Sequence, residues 1–444
     1  MLAREMTTAS ASDAIWIGYT TLYREGGPKF TRAARTLADD KRRQFPGLTV
    51  VCEPVESKAE FLAAMRRLAE SGAKLRELHL VTHSGMYGPM FGSTAWPEQF
   101  SPHEWRTMHL PFGPGAEAFF HACRSARWFA PFLARTLGVP AHGYHWYTSV
   151  SAAPDRFVWD GLARADAPLW IFGIPGRKSH GLVGSLRKYV GLTRPEPLQR
   201  FEPQPPTGDA SYDSVAALYD EVFADITVRG DEWTWLGARV PAGARVLDVG
   251  CGNGALLGLL APRISSGFGV DASARMIDRA RARNARHANL QFAAIDGPRL
   301  PLPDASVDLV ISLLSFRYLD WDPIMQEFAR VLAPGGRLLV VDMVAAPLAA
   351  RELPRLLRDK ARQFGQRLRH RDYYRHLARM VGDPRWQAML RYNPIRAVHE
   401  LRWYFASRFP AGTVDTLNLG WHARVLAFDT GPFDQGRVTP QSFP

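Results

Sequence analysis

The chain has 444 residues, 46% of them hydrophobic and 22% charged, a make-up of folded soluble domains that leaves room for two or three separate cores. No apolar run approaches the ~20 residues of a membrane span, the first residues carry no basic-then-apolar signal pattern, and Cys52, Cys123 and Cys251 are too scattered for a disulfide framework or a metal motif. A cytoplasmic protein is expected. The formal charge of +12 comes mostly from arginine; it reads as surface composition, and nucleic-acid binding is not expected.

In chain order, Ala14–Tyr23 reads as a buried strand and Phe30–Arg43 as a helix closed by Gly47. Leu48–Val55 is a second strand, and Lys58–Leu75 a helix with apolar positions at Phe61, Leu62, Met65 and Leu68. Leu78–Gly85 is a third strand running into a glycine turn, Ala116–Ser125 a fourth, followed by a helix over Arg127–Leu137 and a fifth strand within Val139–Val150. Strand alternating with helix implies a mostly parallel sheet, doubly wound by helices on both faces.

His83 ends the third strand and Cys123 the fourth. In a parallel sheet both leave the carboxyl edge, where ligand sites of open α/β sheets lie, and neighbouring strands are ~4.8 Å apart. A histidine that close can take a thiol proton and leave a nucleophilic thiolate, with the backbone at Gly85 free to stabilise an oxyanion. Over residues 13–150 the chain resembles the caspase-like cysteine peptidases through Ala122-Cys-Arg-Ser125 and through His83, although Ser84 stands between His83 and Gly85. The resemblance implies a caspase-like, flavodoxin-like domain over residues 13–192 and a catalytic His83–Cys123 dyad. Against it stand a cysteine packed as a small hydrophobe, a core histidine, and a catalytically silent interaction module. His121, His142 and His145 gather imidazoles near the same edge without zinc-motif spacing, so no metal is assigned.

Gly173-Ile-Pro-Gly-Arg-Lys-Ser179 fails as a phosphate loop, because Arg177 separates Gly176 from Lys178. Residues 193–208, with Pro195, Pro197, Pro203, Pro205 and Pro206, read as the linker between two domains.

Beyond it, Tyr212–Leu236 reads as one or two helices, and Val246-Leu-Asp-Val-Gly-Cys-Gly-Asn-Gly254 as strand, glycine turn and helix start. Gly250, Gly252 and Ala255, with Asp271 about twenty residues on, also satisfy a loose dinucleotide fingerprint. Asp248 argues against that ligand: a carboxylate beside the loop repels a pyrophosphate and attracts a sulfonium and an ammonium.

Residues 211–345 resemble the class I S-adenosylmethionine-dependent methyltransferases. Val246–Gly254 is similar to the first motif, Gly269–Ile277 to the second strand, Phe292–Gly297 to the third, Ser306–Ser312 to the fourth, and Val331–Asp342 to the Pro-Gly-Gly turn and fifth strand. The resemblance implies a Rossmann-like fold, S-adenosyl-L-methionine as methyl donor, Asp271 on the ribose hydroxyls and Asp296 facing the adenine amino group. The remaining expected contacts are Asp248, Gly250, Cys251, Gly252, Asn253, Gly254, Ala272, Met276, Gly297 and Ser312. It also implies a closing antiparallel hairpin, supplied by Thr413–Phe428, so that the domain spans 209–430 with a helical insertion at 346–405 over the pocket.

Arg351–Arg379 carries ten Lys/Arg against three acids. With Leu357, Phe364, Leu368 and Leu377 among them, a helix there is amphipathic and suits a membrane surface as well as an active-site cover. Family members acting on small molecules and quinones often carry a histidine after strand four; Leu313–Leu319 has none. His370, His376, His399, His422, Tyr373 and Tyr374 are the remaining proton acceptors. The expected reaction is methyl transfer to a small, lipophilic or natural-product-like acceptor. The alternative is a bifunctional chain whose first domain is a peptidase or interaction module and whose methyltransferase modifies a protein or peptide.

Overall fold

The computed structural model describes residues 13–176, 182–204, 212–392 and 395–433. The chain divides into two compact units, Met1–Pro206 and Thr207–Pro444.

In the first unit the elements of the main sheet and its larger helices are β1 (Asp13–Tyr19), α1 (Gly27–Gln44), β2 (Thr49–Pro54), α2 (Lys58–Glu70), β3 (Lys74–Val81), β4 (Phe112–Phe120), α3 (Phe129–Leu137), β5 (Ala141–Gly143), α4 (Leu182–Tyr189) and β6 (Gln199–Phe201). Local signals set the helix ends. Pro28 opens α1, and Lys41, Arg42 and Arg43 oppose the negative end of its dipole. Ser57 caps α2 by accepting from the Glu60 N–H. The strands form one six-stranded sheet in the order β2-β1-β3-β4-β5-β6. All neighbours are parallel except β6, which runs antiparallel to β5. Both faces are covered: Trp16 packs with Phe61, Leu78, Leu80 and Phe129 on one side, Ile15 and Ile17 with Ala34 and Ala38 on the other. Burial on both faces is why β1 reads as a continuous apolar run.

Two expectations are corrected here. The fifth strand is only Ala141–Gly143; Thr148–Ser151 leaves the sheet and pairs antiparallel with Trp170–Gly173. The proline-rich stretch also begins inside the first unit, because Gln199–Phe201 pairs with β5 and Glu196 bridges Gly173. The three strand residues Gln199–Phe201, set between Pro197 and Pro203, keep their N–H groups, and an edge strand tolerates flanking prolines. Residues 205–208 of the expected linker, and Arg177–Ser179 of the rejected phosphate loop, lie outside the described residues.

The second unit contains α5 (Ala216–Val222), α6 (Gly230–Gly237), β7 (Arg245–Val249), α7 (Ala255–Leu260), β8 (Ser266–Asp271), α8 (Ala274–Arg283), β9 (Leu290–Ala294), β10 (Val307–Leu313), α9 (Trp321–Val331), β11 (Leu332–Ala345), α10 (Leu353–Arg369), α11 (Arg371–Gly382), α12 (Pro384–Tyr392), α13 (Val398–Arg408), β12 (Thr413–Leu419) and β13 (Ala423–Pro432). Its seven-stranded sheet has the order β9-β8-β7-β10-β11-β13-β12. The first five strands are parallel, and β13 and β12 close the sheet as an antiparallel pair. Strand order reverses between β7 and β10, which places a crevice at their carboxyl ends. The 346–405 segment is not one cap. Leu401, Tyr404 and Phe405 of α13 join Phe316, Phe328 and Phe428 in the core, so α13 is a packing helix of the sheet. The segment's outer part is α10 to α12.

Candidate functional site

β7 leaves the sheet at Val249, and Gly250 and Gly252 follow at φ of 75° and 53°. At Gly250 a Cβ would stand 2.3 Å from that of Ser315, so the turn excludes a side chain by space as well as by conformation. The N–H groups of Gly250 and Cys251 donate to the Val270 carbonyl at 2.8 and 3.0 Å, tying the loop to β8. Asn253 donates to Asp220 at 2.7 Å, and Gly254 is the N-cap of α7.

Asp271 ends β8. Its Oδ2 accepts from the Gly252 N–H and its Oδ1 from the Ser273 N–H, both at 2.9 Å. Burial outweighs these bonds and raises its pKa. Gly250, Gly252, Asp271, Ala272, Met276 and Gly297 all line a cavity of about 250 Å³, as do three tyrosines, Tyr212, Tyr219 and Tyr318. Six expected residues do not: Asp248, Cys251, Asn253, Gly254, Asp296 and Ser312. Asp296 is exposed while its neighbours Ile295 and Gly297 line the cavity; Ser312 is fully buried while Leu313 lines it. In the extended chain of β10 successive side chains face opposite ways, which turns Ser312 from the cavity, whereas Asp296 stands in a bend after β9. Ser315 takes the place expected of Ser312. It bonds Ser312 at 2.7 Å and donates to the Val249 carbonyl at 2.6 Å.

Asp248 is 2% exposed, and its Oδ1 has no hydrogen-bond partner. With Cys251, Asn253 and Arg229 it lines a smaller cavity of about 30 Å³. Burial and the nearby Asp271 push its carboxyl up to about 8, and burial with the Asp248 and Asp271 charges holds the Cys251 thiol well above its usual range. A buried carboxylate oxygen without a partner costs free energy unless a ligand satisfies it. The smaller cavity shares Tyr219, Gly250, Leu313 and Leu314 with the first and Arg229 with a third cavity, of about 330 Å³, lined by Met343, Gln366, Tyr373, Tyr374 and Leu377.

Sequence reasoning missed the tyrosines and one buried ion pair. Arg317 and Asp342 form a buried salt bridge, and the Arg317 backbone N–H donates to the same carboxylate at 2.6 Å. Arg317 then donates to the Tyr318 hydroxyl at 2.7 Å, and the Tyr212 hydroxyl donates to it at 3.2 Å. The available signal was Asp342 itself, an acid inside the apolar run Leu338–Val344.

In the first unit β3 and β4 are neighbours and parallel, so His83 and Cys123 leave the same edge. Each is held by other groups. His83 Nε2 donates to the Glu25 carbonyl at 2.8 Å and its ring packs edge-on to Phe30 at 4.9 Å, with burial lowering its pKa. The Cys123 Sγ lies 3.1 Å from Thr148 Oγ1 and accepts from the Thr148 N–H at 3.3 Å. No hydrogen bond joins His83 to Cys123 among the described residues. Under the sheet, His79 sits between Glu77 at 2.8 Å and His121 at 3.1 Å, and Lys41 closes the chain on Glu77 at 2.6 Å. His142 is bonded to Glu117 at 2.7 Å. Among the described residues no group of His, Cys, Asp and Glu is arranged to hold a metal ion.

The second unit's strand order, glycine turn and strand-end acids define an open α/β ligand-binding domain. Residues 247–340 match the family model described as a methyltransferase domain. The demethylmenaquinone methyltransferase of Tropheryma whipplei (strain Twist) is 34% identical over 136 residues, 30% of this chain and 56% of that protein. The 27-O-demethylrifamycin SV methyltransferase of Amycolatopsis mediterranei is 33% identical over 147 residues, 31% and 52% respectively. The chain thus spans about half the length of these relatives. A SAM-dependent methyltransferase from Aquifex aeolicus is a solved structure similar to 49% of this chain and 98% of its own, at 16% identity and a TM-score of 0.34. Residues 247–340 of the second unit are therefore similar to a methyltransferase domain. No described helix is long and apolar enough to cross a membrane.

Proposed function

We propose that the protein transfers the methyl group of S-adenosylmethionine to a small lipophilic acceptor. The observation that carries this reading is Asp248: a buried carboxylate with an unpartnered oxygen beside the glycine loop, suited to a ligand whose charged end is positive. The other residues fit the same ligand. Asp271, fixed by two backbone N–H groups, presents its remaining lone pairs to ribose hydroxyls. Met276 and Ile295 offer apolar surface to an adenine, and Gly250 and Gly252 let the ligand approach the backbone.

When bound, the donor supplies an electrophilic methyl on a positive sulfur, which leaves as a neutral thioether as the acceptor's lone pair takes the carbon. The chain's part is alignment and exclusion of water. The cavity shared through Arg229 supports an acceptor held between the strand ends and the α10–α11 pair, with Tyr373, Tyr374 and Leu377 as its walls. Burial raises the pKa of both Tyr212 and Tyr219. Neither phenol is then a base at neutral pH, which favours an acceptor already nucleophilic or acidic enough to lose its proton to water. Isothermal calorimetry tests the donor half. Binding of S-adenosylmethionine to the full chain, lost in Asp271→Ala, is expected; undiminished binding in that variant overturns it. Radiolabelled methyl transfer into an organic extract, rather than onto protein, tests the acceptor half.

For the first unit, the strand order and the adjacency of the His83 and Cys123 strands support a caspase-like fold. The separate partners of the two side chains support an interaction module in place of a peptidase.

A further inference from the structure

The outer face of α10 exposes an apolar stripe. Leu353, Leu357, Phe364 and Leu368 are 42%, 59%, 65% and 54% exposed. At 100° per residue they fall within one stripe about 60° wide. The helix cannot roll to hide them, because its other face is tied down. Leu356 is fully buried, Asp359 accepts from the Leu419 N–H at 3.2 Å, Arg362 pairs with Asp231 at 2.7 Å, and Gln363 donates to Asn418 at 3.2 Å. Basic side chains lie to either side of the stripe: Lys360 and Arg367 within about 40° of one edge, Arg358 and Arg369 about 80–100° beyond the other. Among the described residues none of these four meets a carboxylate, although acids neutralise Arg362, Arg375 and Arg379 close by.

We propose that this face of α10 docks on the surface of an anionic phospholipid bilayer. An apolar stripe with basic shoulders matches a surface that is negative at headgroup level and apolar a few ångströms below. Four convex side chains offer no groove to a peptide, whereas a bilayer yields around them. The shoulders would leave like charges facing each other across a pair of identical helices, which opposes self-association. Lys360, Gln363, Gln366 and Arg367 on the same helix line the 330 Å³ cavity. Docking therefore brings the wall of that cavity to the lipid interface, where a lipophilic molecule partitions. The proposal concerns the outer face and stands whether or not the cavity receives a methyl acceptor.

The test is cosedimentation of the full chain with vesicles of equal parts phosphatidylcholine and phosphatidylglycerol, and with phosphatidylcholine alone. Binding to the mixed vesicles is expected, weakened by salt and much lower on the neutral ones. The double variant Phe364→Ser/Leu368→Ser, both residues exposed and outside the cavity linings, is expected to weaken binding about 30-fold or more. Arg358→Gln/Arg369→Gln is expected to weaken it about 25-fold on mixed vesicles and little on neutral ones. Unchanged far-ultraviolet circular dichroism shows that each variant is folded. Three results overturn the proposal. The wild type fails to bind mixed vesicles; the serine variant binds as well as wild type, which moves the contact to the exposed apolar residues of 182–192; or sedimentation velocity shows a dimer that the serine variant dissolves.

Discussion

Both units are built on mostly parallel sheets that bring polar side chains to their carboxyl edges, and they treat those side chains differently. In the first unit His83 is bonded to a backbone carbonyl, Cys123 to Thr148, and His79 stands in a closed chain from Lys41 to His121. The titratable groups there satisfy one another, although the hydroxyls of Thr20 and Thr82 beside them are buried without a partner. In the second unit Asp248 keeps a buried oxygen without a partner, and Asp271 spends one lone pair of each oxygen on the backbone and keeps the rest for the cavity. A parallel sheet of itself does not make a reactive edge. What distinguishes the second is acids on cavities, one with an oxygen left for a ligand to complete, at a stability cost that binding returns.

The comparison breaks most easily at Gly250. An alanine there combines positive φ with a Cβ 2.3 Å from Ser315. Gly250→Ala should cost about 2–5 kcal/mol in the second unit's denaturant transition and leave the first unit's transition unmoved. Next in size is Asp271→Ala, which removes the ribose acceptor and frees the Gly252 and Ser273 N–H groups. Calorimetry should show donor affinity down roughly 100-fold or more.

Asp248→Asn sharpens the contrast, because it separates the cost of an open edge from its use. The carboxyl's ordinary value is 3.8, and in the fold it sits at about 8. The native state thus holds an extra proton between those values, and this group's contribution to stability falls as pH rises through the window. Asparagine cannot ionise. The variant without ligand should therefore match or exceed wild type at pH 8, by about 1 kcal/mol or more, which is roughly 2–4 °C in the second transition. Its donor affinity should fall in the same experiment. In the wild type, ionisation of Asp248 favours a sulfonium, so donor affinity should climb up to pH 8 and level above it. The demethylated product, lacking the sulfonium charge, should show a shallower rise.

What was legible in the sequence is what short segments determine. The run Val246–Gly254 declares strand, turn and helix start through its own residue types, and Asp271 and the Pro-Gly-Gly turn follow at strand spacing. The ligand class was legible too, since a carboxylate ahead of the loop excludes a pyrophosphate. Which residue of a strand end faces the cavity was not: beside the expected Gly297 the lining is Ile295 and Ser315 and not Asp296 or Ser312, because side-chain direction there is set by the turn that follows the strand. Long-range partners were hidden too. Nothing local links Arg317 to Asp342, Tyr212 to Tyr318, or Gln199–Phe201 to β5. Each pairing is set by how strands and helices stack.

The smallest expected effect is the most informative about the first unit. If its edge is self-satisfied, Cys123→Ala loses only the sulfur's contacts with Thr148, about 1 kcal/mol at most. Iodoacetamide should then label Cys123 at the rate of an ordinary half-buried thiol. His83→Ala should leave that rate unchanged, since His83 bonds Glu25 and not the sulfur. Cys123 can be scored apart from the others by peptide mass after digestion. A labelling rate that falls several-fold in His83→Ala would mean that the imidazole swings to the thiol in solution. The two edges would then differ only in what each waits for, and the peptidase reading of the first unit would replace the interaction module.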